Sequence, residues 1–166
     1  MVEVRIEKKP SFKIVGRKIW IAGTDNELFG QFWDDSNKNG LIENLKSLSK
    51  NKPDGILDST VFGVSCVEKD PNNRSFYFYI ATESDICPEG MELEEYEVQG
   101  CEWAVFRNRG DIPDALVEAE MYAFMEWLPN SKYEHANAPE MELYPSYNDP
   151  ENGILIEFWL PIRDKV

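Results

Sequence analysis

Val2, Val4 and Ile6 alternate with Glu3, Arg5 and Glu7, the period of a half-buried strand. Pro10 separates this run from a second predicted strand over 12–22. Thr24 and Glu27 have the spacing of a helix capping box, and Leu28, Phe29, Phe32 and Trp33 follow at helical spacing. The polar run 34–40 predicts a break, after which Leu41, Ile42, Leu45 and Leu48 resume a helical stripe. Lys52-Pro53-Asp54-Gly55 reads as a turn. Strands are predicted over 61–67 and 76–83, with the turn Asp70-Pro71-Asn72-Asn73 between them, as in an antiparallel hairpin.

The same order returns downstream. Leu93 and the stretch 96–106 read as extended. Asp111 is placed to cap a helix with Pro113 near its start. Leu116, Val117, Met121, Phe124, Trp127 and Leu128 give that helix a broad apolar face, and Pro129 ends it. A strand over 141–144, a turn at Asp149-Pro150-Glu151-Asn152-Gly153 and a last strand over 154–161 complete the chain. Phe12-x-Ile14-x-Gly16 lines up with Tyr96-x-Val98-x-Gly100, and in both the alternation slips by one residue after the glycine. A bulge at each glycine would produce that slip. The expected fold is therefore α+β: duplicated strand–helix–strand–strand units forming an antiparallel sheet, with helices packed on it and a ligand cleft between the two halves. One domain, 1–166, is expected, with pseudo-repeats over about 1–86 and 91–166.

Composition narrows the chemistry. The chain has 166 residues, 42% of them hydrophobic, enough for a core. It carries 31 acidic against 17 basic residues, a formal charge of −14, which repels nucleic-acid backbones and anionic lipid. Direct nucleic-acid binding and membrane association are not expected. Cys66, Cys87 and Cys101 are widely spaced and fit no zinc, redox or disulfide pattern, so reduced thiols and a cytoplasmic setting are expected. His135 is the lone histidine, in a run that reads as a polar loop. No metal, cofactor or nucleophile-elbow signature is legible. The acid cluster Glu89, Glu92, Glu94, Glu95 and Glu97 reads as a solvated edge.

The last strand holds the most informative position. Ile154, Ile156, Phe158 and Leu160 share one face; Leu155, Glu157 and Trp159 share the other. Glu157 is thus a carboxylate in an otherwise apolar strand, and burial would demand a partner. Alternation alone favours an outward glutamate or one paired with a surface lysine. Tyr77, Tyr79, Ala81 and Glu83 share a face on the matching strand, and Tyr79 aligns with Glu157. Aromatic rings beside a carboxylate suit a lipophilic cation, although aromatic residues are also ordinary strand formers. Phe29 and Trp33 could roof such a cleft or belong to the core. Trp103 and Tyr144 are further candidates.

Four segments carry a family resemblance: Pro10-x-Phe12-x-Ile14-Val15-Gly16; Phe62-Gly63-Val64-Ser65 with Phe78-Tyr79-Ile80-Ala81-Thr82-Glu83; Cys87-Pro88-Glu89-Gly90-Met91-Glu92; and Glu142-Leu143-Tyr144-Pro145 with Ile156-Glu157-Phe158-Trp159-Leu160-Pro161-Ile162. In this order the chain resembles the GyrI-like small-molecule-binding domain, also known as the effector-binding domain of bacterial transcription activators. The resemblance implies a multidrug-type cleft for lipophilic, often cationic compounds, lined by aromatics, with a glutamate of the last strand as charge partner. Glu157 stands at that position, with Tyr79, Trp33, Trp103, Tyr77, Trp159, Phe29 and Tyr144 as companions. The first strand begins at residue 2, so a stand-alone member without a DNA-binding domain is expected. Two alternatives share the pocket or the surface. One is hydrolysis of strained electrophilic natural products, with Glu157 as general base aided by Tyr79. The other is antagonism of a protein partner, as in the gyrase inhibitor; a homodimer is also compatible. If Glu157 lies in an apolar cleft without a fixed cation, burial raises its pKa.

Overall fold

A computed structural model describes residues 1–23, 27–145 and 153–166. Its strands are β1 (Glu3–Lys9), β2 (Phe12–Ile21), β3 (Phe62–Cys66), β4 (Phe76–Glu83), β5 (Glu94–Val98), β6 (Cys101–Gly110), β7 (Tyr133–His135), β8 (Glu140–Leu143) and β9 (Ile154–Asp164). Helices α1 (Glu27–Lys38) and α2 (Leu41–Ser49) lie between β2 and β3. Helix α3 (Asp114–Met121) follows β6 and runs into a π-helical turn, Tyr122–Trp127.

The strands form one antiparallel sheet in the order β1-β6-β9-β8-β3-β4-β2-β5, with β7 also paired to β9. The order is a palindrome of element types. Read from either end, it meets an edge strand, a long strand, the last strand of a hairpin and the first strand of that hairpin. The fold is the α+β class expected, but each edge strand crosses over. β1 pairs with β6, and β5 pairs with β2.

These crossings force the sheet to curl. β1 and β2 stand six strand steps apart in the sheet order, about 29 Å on a flat sheet. Only Pro10 and Ser11 join them, a reach of roughly 11 Å. The concave side therefore closes on itself. Phe12, Ile14, Phe62, Val64, Tyr79, Trp103, Val105, Met141 and Trp159, from six strands, pack as one core there. The convex side carries both helical layers. α1 and α2 cover Ile21, Phe76, Phe78 and Ile80; α3 covers Ala104, Phe106, Ile156, Phe158 and Leu160. The seam between the layers runs over the central pair β3 and β8.

Several local expectations change. The segments aligned around Gly16 and Gly100 are neighbours rather than equivalents: Phe12 pairs with Val98 and Ile14 with Tyr96. No bulge interrupts β2, whose register to β4 is continuous from Ile14 to Ile21. The apparent slip arises because β2 is buried on both faces. Phe12 and Ile14 enter the concave core, while Ile19 and Ile21 meet the helices. Gly16 is required by close approach, since a Cβ would collide with the Ile80 carbonyl oxygen and Ala81. Gly100 instead sits in the β5–β6 link against Lys9, Pro10 and Ser11. That link divides the expected single stretch 96–106 into two strands.

α1 continues through the polar run as far as Lys38, and the break falls at Gly40, whose φ of +87° suits glycine. The Asn39 side chain then accepts a bond from Leu41 N–H at 3.0 Å. Asp111 does not cap α3 through its side chain; its carbonyl accepts from Ala115 N–H. Val117 and Met121 lie outside the core, and Ala115, Ala119 and Ala123 take the inner positions. His135 belongs to β7 rather than to a loop. Glu94, Glu95 and Glu97 do lie exposed on edge strand β5. Thr24 of the capping box and most of the turn at 149–153 lie outside the described residues.

Candidate functional site

Glu157 lies on the concave side of β9 and is 2% exposed. It has permanent cationic partners. Arg5 Nη1 donates to Oε2 at 2.7 Å, and Arg107 approaches the same oxygen through Nε at 2.9 Å and Nη2 at 2.8 Å. Trp159 Nε1 donates to Oε1 at 3.2 Å. Register explains the convergence: Arg107 is paired with Glu157 across β6–β9, and the β1–β6 pairing brings Arg5 alongside Val105. Burial alone would raise the Glu157 pKa, but the bonds from Arg5, Arg107 and Trp159 outweigh it and hold the carboxyl below its usual range. The expected elevation is therefore overturned, because the cleft contains two fixed cations. Arg5 and Arg107 line a recess of about 240 Å³ with Glu3 and Val4, and Glu157 itself does not reach it.

The other expected site residues divide between the two sides of the sheet. Tyr79, Trp103 and Trp159 share the concave core with Glu157's strand face, and the Trp103 and Trp159 rings stand 5.8 Å apart. All three are buried, and among the described residues Trp103 Nε1 finds no acceptor. Tyr77 stands outside this core, 45% exposed against Trp20, with Lys18 Nζ 4.3 Å from its ring centre. Glu83 accepts the N–H groups of Ile56 and Leu57, both at 3.0 Å, and so anchors the loop before β3. Phe29, Trp33 and Tyr144 lie on the convex side, away from Glu157. Phe29 packs on Phe78, and Trp33 meets Tyr144 edge to face at 5.7 Å.

That convex seam contains a second carboxylate constellation. Alternation along β8 sends Met141 and Leu143 into the concave core and Glu140 and Glu142 to the seam. Glu140 is paired: Arg74 binds it through both Nη atoms, at 3.1 and 2.9 Å, and His135 Nε2 lies 3.0 Å away. Burial would raise its pKa, but His135 and Arg74 bring it below the usual range. Glu142, two residues on, has no such partner. Among the described residues it accepts only from the Tyr144 hydroxyl. Burial pushes its pKa up to about 7 against the lowering effect of that bond. Glu120 of α3 faces the same seam. Burial, aided by the charges of Glu142 and Glu140, pushes it up to about 8. The Tyr144 phenol is likewise raised by burial and by Glu142.

Glu142 nevertheless keeps partial access to solvent, as do Glu120, Tyr144 and Trp33. Its stem rests on Gly63, directly opposite across β3–β8, where any Cβ would strike it. The seam thus combines a half-buried carboxylate with an aromatic wall from α1 and the end of β8. The sequence pattern does not single out Glu142, because an acidic residue alternating with Met141 and Leu143 reads as an ordinary outward position. The available signal was the Glu142-x-Tyr144 spacing, which puts acid and phenol on one face. Among the described residues, no group of three or more His, Cys, Asp or Glu side chains is placed to hold a metal ion.

Known proteins share this fold. The fold is similar to that of a bacterial transcription-regulation protein from Staphylococcus aureus, with a TM-score of 0.75 and 20% identity over 97% of this chain and 98% of that one. SAV2435, solved with tetraphenylphosphonium bound, gives a TM-score of 0.80 at 20% identity, covering 97% and 94%. A Listeria innocua hydrolase is more distant, with a TM-score of 0.51 and 17% identity over 97% and 92%. These likenesses establish the fold. No curated protein matches the sequence. The model of the GyrI-like small molecule binding domain matches residues 2–163, and the chain belongs to that family.

Proposed function

We propose that this chain binds lipophilic cations in the convex seam between its helical layers, with Glu142 as charge partner and Trp33 and Tyr144 as aromatic walls. It would act as a sensor or sequestering protein. The observation that carries this reading is Glu142 itself: a half-buried carboxylate whose described partner is a phenol and not a cation. A ligand cation would supply the missing countercharge, and the rings would favour it through their quadrupoles. The tetraphenylphosphonium complex of SAV2435 supports this ligand class. Glu157 is a poorer candidate, because a ligand there would compete with Arg5 and Arg107 for one oxygen.

Calorimetric titration with tetraphenylphosphonium at pH 6 and pH 8 tests the proposal. A bound cation favours ionised Glu142, so its pKa falls on binding and a proton is released. Affinity should rise with pH and level off above about 7, the value set by burial of Glu142. Removing one member of a buried charge pair costs about 2–5 kcal/mol, so Glu142→Gln should weaken binding about 30-fold or more and flatten the pH dependence. Unchanged affinity in that variant would refute the assignment.

A further inference from the structure

Helix α3 and the π turn are apolar on two sides, and one side is uncovered. Ala115, Ala119 and Ala123 recur every four residues and pack on the sheet. Val117, Met121 and Met125 recur at the same interval on the outer side, where they are 45%, 53% and 69% exposed. A surface helix of a globular protein normally carries polar residues there. Here Asp114, Glu118 and Glu126 instead form the rim of a groove of about 770 Å³ floored by those three apolar residues. Among the described residues, every charged side chain lining the groove is acidic.

We propose that this groove docks a basic amphipathic helix of a partner protein. The floor offers two methionines, whose flexible thioethers adapt to the side chains of an incoming helix. The rim supplies three carboxylates to lysine or arginine flanking that apolar face. Charge also selects against other occupants. A second copy of this chain would bring a further −14 and, in a twofold contact, lay acidic rim near acidic rim. An anionic lipid surface would meet the same repulsion. The surface is separate from the proposed small-molecule seam, which α3 meets through Glu120.

The chain contains its own reporters. Its five methionines are Met1, Met91, Met121, Met125 and Met141; Met1 also lines the groove, whereas Met141 is in the core and Met91 is not among the lining residues. Methyl-labelled methionine spectra would be recorded during titration with a synthetic leucine–lysine amphipathic helix. A control peptide would carry glutamate in place of lysine. The Met1, Met121 and Met125 signals should shift saturably with the basic peptide only, while Met91 and Met141 stay in place. Replacing Met121 and Met125 together by serine removes two exposed apolar contacts and should weaken peptide binding on the order of tenfold, measured by anisotropy. Equal affinity for the serine variant would reduce the interaction to diffuse charge attraction and overturn the proposal. So would shifts spread over all five methyls, or none at millimolar peptide. Concentration-dependent shifts of Met121 and Met125 without peptide would identify a second copy as the occupant, also against the proposal.

Discussion

Two glutamates on opposite sides of the same sheet meet opposite fates. Glu157, on the concave side, is almost wholly buried yet held ionised by two arginines and an indole N–H. Glu142, on the convex side, is pushed up to about 7 by burial, which among the described residues only the bond from the Tyr144 hydroxyl opposes. What separates them is the pairing of distant strands: β1 and β6 deliver guanidinium groups to Glu157, whereas β3 delivers a bare glycine to Glu142. The first carboxylate is satisfied within the fold, and the second is the one proposed above to meet a ligand cation.

The largest effect that could break this comparison is the crossed response of the two glutamine variants. Glu142→Gln should nearly abolish tetraphenylphosphonium binding, whereas Glu157→Gln should leave it within about threefold, or roughly 0.6 kcal/mol. Glu157→Gln should instead destabilise the fold by about 2–3 kcal/mol in urea. That is below the cost of breaking a fully buried pair, because Arg5 and Arg107 are 38% and 40% exposed and can be rehydrated. A Glu157→Gln protein that folds normally but loses the cation would move the site to the concave side.

A somewhat smaller effect is the dependence of stability on pH. Glu142 has a folded pKa raised to about 7, above the value of a free carboxyl. The folded state therefore holds its proton longer than the unfolded state, and stability falls as pH rises through the window between the two values. Above about 7 the loss is complete, on the order of 3 kcal/mol. Glu142→Gln should remove it, so the variant should gain on the wild type between pH 5 and pH 8 in denaturant midpoints. Glu120, Glu140, Arg74 and Tyr144 surround the same group and remain in both proteins, which makes the difference between the two curves the informative quantity. A constant difference across that range would show that Glu142 is not the group responsible.

The smallest predicted effect sharpens the role of the phenol. The Tyr144 hydroxyl donates to Glu142 and lowers its pKa. Tyr144→Phe should therefore move the midpoint of the cation-binding pH curve upward by about 0.5–1 unit, the scale of one lost hydrogen bond. The ring stays in place to meet Trp33, so affinity above that midpoint should change little. A downward shift would mean that Tyr144 stabilises the protonated form instead.

Much of the architecture was legible in the chain. Alternation placed Leu155, Glu157 and Trp159 on one face of β9 and Ile156, Phe158 and Leu160 on the other, as observed. Helical spacing located α1, α2 and α3, because 3.6- and 2-residue periods report which side of an element is buried. The family resemblance held across the chain. The local alignment of Gly16 with Gly100 failed because two short apolar segments resemble each other when they pair as well as when they repeat. Val117 and Met121 read from the sequence as part of one broad apolar face of α3, because an apolar residue does not declare whether it meets its own sheet or a groove open to solvent.

The sequence by itself determined the element types, their order, the acidic surface and the two faces of each strand, since all of these depend on residues close together along the chain. The tertiary structure alone decided which buried acid is paired. Arg5 and Glu157 are 152 positions apart, and their 2.7 Å contact exists only because β1 pairs with β6 and not with its neighbour along the chain, β2. Glu142 lies among aromatics and a second acid only because β3 and β8 meet at the centre of the sheet. A side chain's pKa answers to the charges and solvent around it in space. Strand order sets those surroundings, and local periodicity does not encode strand order.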